Sequence, residues 1–272
     1  MNAIDSGARM NLQKIHGFIE NIIGPIQDKI NLVVDQLIEK SKVRAINTAT
    51  IAKSLNQYLN YHGIKVLHQA SKDVKKDTKK LIAFCYEPNS SEISAKIEII
   101  ICYQRNQNRM VMSVAEWEHF RYRLHEIVLH ELVHRAQFAI GNCRQTTLMF
   151  RPSTDAHNDP LVLAEQQYLG DIDEIEAYAR DCVEFWKYTT PDKPLTLKEL
   201  KKEFCYETSN SSIQYYYDAY SGDISHPAVA RFFRKVIQWN KILTPLANSL
   251  HKCPSNLRNR RRLRGGIELA TI

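Results

Sequence analysis

Three short runs rich in β-branched and aromatic residues, Ile64–His68, Leu81–Tyr86 and Ala95–Tyr103, interrupt a chain whose apolar residues otherwise recur at helical spacing. Polar stretches, SKDVKKDTKK and EPNSSE, separate them, so they read as three strands, with a short fourth around Met110–Met112. Residues 10–62 before them read as helical. Gly24-Pro25 is expected to end one helix, with Pro25 as the first residue of the next, which carries the stripe Ile26, Ile30, Val33, Leu37 and Ile38. A third helix begins near Thr48–Thr50 and stops at Gly63.

Beyond the strands, Ser113 and Glu116 form a capping-box pattern that opens a long helix reaching Gly141. A polar, Pro-containing loop covers 146–160. Helical spacing resumes over 162–188 with a break near Gly170, then over 196–205, 211–220 and 227–244. Helices, then strands, then helices define an α+β class. The expected organisation is an N-terminal helical region over 1–62, one domain over 63–250 and a basic, disordered tail over 251–272. Within the domain, the sheet and long helix span 63–141 and a helical half spans 160–250.

Composition removes other classes. With 9 Gly and 9 Pro among 272 residues, a loop-dominated all-β fold is disfavoured, and the length suffices to bury a core without disulfides. No apolar run nears the ~20 residues that span a bilayer, and MNAIDSGARM has no secretory pattern. Six scattered cysteines without a CxxC fit reduced thiols, hence a cytoplasmic setting. Of the net charge of +7, five charges sit after residue 250, where Lys252, Arg258, Arg260, Arg261, Arg262 and Arg264 face only Glu268. Nucleic acid or another anionic surface is therefore a partner for the tail rather than for the body.

The chemistry-bearing stretch is His130-Glu131-Leu132-Val133-His134, an H-E-x-x-H pattern inside a helical segment. Residues four apart lie ~40° apart around a helix, so both imidazoles project from one face and can hold one Zn²⁺. Glu131, one residue further round, suits a general base acting on water. A catalytic zinc needs a third protein ligand. Gln137 and Ile140 exclude a third histidine in the HExxHxxGxxH arrangement. A helix through Asp171-Ile172-Asp173-Glu174-Ile175-Glu176-Ala177 offers carboxylates instead. Glu176 is preferred because the small Ala177 permits close helix approach, with Glu174, Asp173 and Asp171 as alternatives.

HELVH followed by EIEAYA resembles the zincin metallopeptidases whose third ligand is a glutamate, the gluzincin-like kind. It is similar to metallopeptidases of phage and bacterial genomes with a HELxHRxQ helix and a later E-x-E-A-x-x-A helix. The resemblance covers roughly residues 95–185. It implies one zinc per chain held by His130, His134 and Glu176, with Glu131 activating water. It also implies an edge strand, Ala95–Tyr103 or its neighbour, that holds a peptide or protein substrate in extended form. Related enzymes stabilise the oxyanion with a Tyr, His or Arg from the helical half. Here Tyr215, Tyr216, Tyr217, Tyr220 and His226 are candidates, His226 and Tyr217 preferred. Arg180 stands four residues after Glu176, where thermolysin-type enzymes have an acid, so the chain is not a close relative of those.

The leading expectation is a zinc-dependent peptidase acting on a specific intracellular protein, phage-encoded if the resemblance extends to source. The competing one is a non-catalytic module whose basic tail binds nucleic acid or an acidic partner.

Overall fold

The computed structural model describes residues 3–72, 74, 79–86, 95–105, 107–140, 159–206 and 208–250. The Arg258–Arg264 run and most of the loop over 146–160 lie outside them. The chain divides into two compact units. Gly17–Ile140 forms one; residues up to His16 and the described part of Gly141–Ser255 form the other. The architecture is mixed α+β, mostly helical with two small sheets.

The first helix, α1, runs unbroken through Ala3–Ser41 with Pro25 inside it, so the expected break at Gly24-Pro25 is corrected. An interior proline loses one hydrogen bond and costs about 3 kcal/mol. The apolar stripe continues across it: Ile15, Ile19, Ile23, Ile26, Ile30, Val33 and Leu37 are all buried. At roughly 1.5–3 kcal/mol per buried aliphatic side chain, keeping the stripe in register outweighs the lost bond.

In the unit formed by Gly17–Ile140, strand β1 (Ile46–Asn47) leads into α2 (Thr48–Leu59). Asn47 caps α2 by accepting the Ala49 N–H at 2.8 Å. A single 3₁₀ turn, Asn60–His62, ends at Gly63 with φ 68°, the left-handed conformation glycine adopts without strain. Then follow β2 (Ile64–Ser71), β3 (Lys79–Tyr86), β4 (Lys96–Gln104), β5 (Arg109–Met110) and α3 (Val114–Ala139). The capping box of Ser113 and Glu116 is present at the start of α3.

The larger sheet has the order β2-β4-β3, with β4 parallel to β2 and antiparallel to β3. The Ala95–Tyr103 run is thus the middle strand, and the edges belong to β2 and β3. Ile97, Ile99 and Ile101 alternate onto one buried face with Ile64, Val66, Leu81 and Ala83. α2 packs along β2, and α3 packs along β3. β1 and β5 form a separate two-stranded ladder pairing Ile46 with Met110.

The other unit holds α4 (Pro160–Leu169), α5 (Ile172–Thr189), α6 (Leu197–Phe204), α7 (Ser211–Ala219) and α8 (Pro227–Leu250). Asp159, Asp171, Thr196 and Asn210 each cap a helix start through a side-chain oxygen. The α4–α5 break falls where the sequence places it. A Cβ on Gly170 would sit 2.8 Å from the Gln166 carbonyl oxygen, so the turn admits only glycine. α5 packs along α8 around Trp239, Phe232, Tyr216 and Phe204, all fully buried. No helix among the described residues is long and apolar enough to cross a membrane.

Candidate metal centre

α3 carries His130, Glu131 and His134 on its C-terminal half, where it turns toward β3. His130 and Glu131 are buried, and His134 is half-buried. The two ring Nε2 atoms lie 3.2 Å apart, and the rings meet edge to face at 74°. Gln137, fully buried one turn on, offers its Oε1 to His134 Nδ1 at 2.8 Å. An amide oxygen only accepts, so Nδ1 carries the proton and Nε2 is left with a lone pair. That tautomer can ligate a metal through Nε2, and an outer partner on the other ring nitrogen is the usual support for such a histidine.

Arg135 fixes where this turn of helix sits. Its guanidinium donates to the His62 carbonyl at 2.6 Å and to the Gly63 carbonyl at 2.8 Å, tying α3 to the entry of β2. Cys85 on β3 reports the charge beside it. Its thiol is pushed up to about 12, first by burial, then by the negative charge of Glu131, with Arg135 partly offsetting. Glu131 thus sits next to β3 in a poorly hydrated setting. Gln137 and Arg135 were not picked out from the sequence as site residues. The signal was the spacing of Gln137, three positions after a candidate ligand.

His125 lies on another side of α3. Its Nε2 is 3.0 Å from Asn31 Oδ1 of α1, and burial, helped by Arg121, pushes its pKa down to about 4.

No family model, curated protein or solved structure matches this chain. The functional reading of these residues rests on their chemistry.

The remaining sequence-derived candidates belong to the helical unit and have different partners there. Glu176 is buried, and its Oε1 accepts from Lys235 Nζ of α8. Its backbone carbonyl accepts the Trp239 indole N–H at 3.0 Å. Asp171 is committed to the α5 cap through Asp173 N–H at 2.8 Å. Glu174, half-buried, is hydrogen-bonded by the Tyr168 phenol.

His226 is buried at the start of α8. Its ring stacks on Tyr220 at 4.2 Å, and its Nδ1 accepts the Ala228 N–H at 3.3 Å. Tyr217 is exposed, lying against Phe204 and Gly222. The hydroxyls of Tyr216 and Tyr220 donate to the Leu169 and Gln166 carbonyls at 2.8 and 2.9 Å, which makes both of them fasteners between α7 and α4. Arg180 stacks over the Trp239 ring at 5.1 Å.

Proposed function

We propose that this chain is a zinc-dependent peptidase of the zincin kind, with His130 and His134 as ligands and Glu131 as general base. The observation that carries the reading is the imidazole pair. Two Nε2 atoms converge on one helical face, one ring is set in the ligating tautomer by Gln137, and a buried carboxylate stands at the next position. Two neutral imidazoles and a carboxylate are a donor set that zinc accepts.

A catalytic zinc needs a third ligand, and Glu176 and Glu174 of α5 are the carboxylates that the sequence offers first. The two are about 200° apart around α5, since each residue turns ~100°. Glu176 is turned to α8 and neutralises the buried Lys235, and removing a carboxylate from such a pair strands a buried charge at roughly 3–5 kcal/mol. Asp171 is spent on the helix cap. The Glu174 carboxylate meets the Tyr168 phenol of α4.

His130 and His134 would hold the zinc, which when bound would supply Lewis-acid polarisation of a carbonyl and a more acidic water. Glu131 takes the proton from the attacking water and hands it to the leaving amine nitrogen. The Glu131 carboxylate is positioned beside β3 by the packing of α3 on that strand.

The substrate rail follows from the sheet edges. On β2, the side chain of Asn56 occupies the outer edge, its Oδ1 accepting the Val66 N–H and its Nδ2 donating to the Val66 carbonyl, both at 2.7 Å. β3 has no strand on its outer side among the described residues. An extended peptide adding to β3 would run past Glu131, and main-chain pairing would hold it there.

The test is metal content by elemental analysis of chelator-free protein, with cleavage of an unfolded-protein substrate followed by mass spectrometry. One zinc per chain is expected, lost in His134→Ala. Glu131→Gln should keep the zinc and the melting temperature while cleavage falls by about 10²–10⁴-fold. Cleavage at the wild-type rate in Glu131→Gln would remove the assignment.

A further inference from the structure

We infer that the outer face of the β2-β4-β3 sheet is a platform for single-stranded nucleic acid, with Phe84 and Tyr86 stacking on bases and Lys65, Lys80 and Lys96 meeting phosphates. The inference concerns the unit formed by Gly17–Ile140 alone and is independent of the zinc reading. Side chains along a strand alternate between two faces. One face of this sheet carries the buried Ile97, Ile99 and Ile101, and the alternate residues make the other. The register sets that second face out in rows. Tyr86 stands opposite Lys96, Phe84 opposite Glu98, Ile82 opposite Ile100 and Lys80 opposite Cys102. Lys65 and Leu67 of β2 extend the rows of Glu98 and Ile100.

A sheet face turned away from the core is ordinarily polar. Here Leu67, Ile100, Ile82 and Phe84 form a connected apolar strip that is only half-buried, and Tyr86 is 47 % exposed. Contiguous apolar surface of this kind marks a binding surface. The aromatic pair and the charge decide what it binds. The Phe84 and Tyr86 ring centroids lie 6.2 Å apart, with planes tilted by 35°. The two residues follow one another on the same face of β3, so they offer neighbouring stacking surfaces along the strand. The Tyr86 hydroxyl donates to Glu98 Oε2 of β4 at 3.2 Å, which lays the ring across the sheet.

Glu98 is the one acid among the described residues of this face, and Lys65 Nζ stands 3.6 Å from its Oε1. Three lysines against one glutamate leave the face basic. The surrounding unit is basic too: residues 17–140 hold 17 Lys and Arg against 13 Asp and Glu. Residues 141–250 hold 12 against 15, and that opposite excess conceals the basic unit in the balance of the whole body. A polyanion whose monomers carry flat apolar rings matches both the lysines and the aromatic pair. Every base has such a ring, so this recognition is indifferent to sequence.

The experiment follows the fluorescence anisotropy of a short labelled oligothymidylate titrated with the full chain. The same titration is made with Arg258, Arg260, Arg261, Arg262 and Arg264 replaced by glutamine, which silences the tail. Binding is expected to survive those replacements. In that background Tyr86→Leu should weaken binding about 5–150-fold, the effect of one lost base stack. The position is exposed and leucine keeps an apolar contact, so the melting temperature should not move. Phe84→Leu should act in the same direction. Log affinity should fall with log salt at a slope of about −2 for three phosphates, and each of Lys80→Gln and Lys96→Gln should reduce that slope by about 0.7. An oligonucleotide carrying 4-thiothymidine should crosslink on irradiation to the peptide that contains Phe84 and Tyr86.

Affinity within about twofold of the parent in both Tyr86→Leu and Phe84→Leu would overturn the platform. Loss of binding when the tail is silenced would assign nucleic acid to the tail and overturn it as well. Displacement of the probe by polyglutamate at equal charge would overturn base stacking and make the face a site for an acidic peptide. His134→Ala should bind the oligonucleotide as the parent does, so this inference and the zinc reading fail separately.

Discussion

His134 shows how one neighbour decides what a side chain can do. Free imidazole exchanges its tautomers, and only the form with Nε2 deprotonated can ligate through that atom. Gln137 Oε1 holds the proton on Nδ1. Gln137→Leu is therefore expected to lower zinc affinity about 10–100-fold, read by competition with a chromophoric chelator, while the helix around it persists because leucine is a strong helix former.

His125 carries a pH consequence. Its pKa is depressed to about 4 in the folded chain against an ordinary value of 6.5. Between those values the unfolded chain binds the proton and the folded chain does not, so stability is whole above 6.5 and is lost as pH falls toward 4. Melting temperature measured across that window should drop less in His125→Gln, which retains a donor for Asn31. An unchanged slope would assign the acid sensitivity to other groups.

Among the elements, α2 and β2 show a strand edge closed by a side chain. The Asn56 amide pairs with Val66 as a neighbouring strand would, at both donor and acceptor. Unclosed edges recruit other chains. Asn56→Ala should cost about 2 kcal/mol, from two hydrogen bonds of about 1 kcal/mol each, and should raise aggregation seen by light scattering. Loss of stability without aggregation would mean that the bond matters and the edge does not. The asymmetry between the edges also accounts for assigning substrate to β3. Ile64–His68 and Leu81–Tyr86 are both short β-branched runs, and neither shows in sequence which will lie open. Pro25 gives the same lesson in a helix. Read locally it is a helix start, yet α1 passes through it because the buried stripe on both sides is continuous.

At the scale of the whole molecule, a metal that binds the native chain and not the unfolded one raises stability by mass action. Zinc at about a thousand times its dissociation constant should add ~4 kcal/mol, visible as a melting temperature that rises with zinc and falls with chelator. A melting temperature indifferent to zinc would deny a native-state site.

How much of this was legible in advance follows the range of the forces. The α+β order, the capping box at Ser113, the Gly170 break and the shared face of His130 and His134 all depend on residues within about four positions of one another, through periodicity, caps and backbone sterics. Those the amino-acid sequence determined by itself. Only the tertiary structure decided that β4 lies between β2 and β3, that Glu176 meets Lys235 fifty-nine positions away, and that Tyr168 reaches Glu174 from another helix. The acids of 171–176 look alike along the chain. What distinguishes them is the charge or phenol each one meets when the helices pack, and no local pattern encodes which helix that will be.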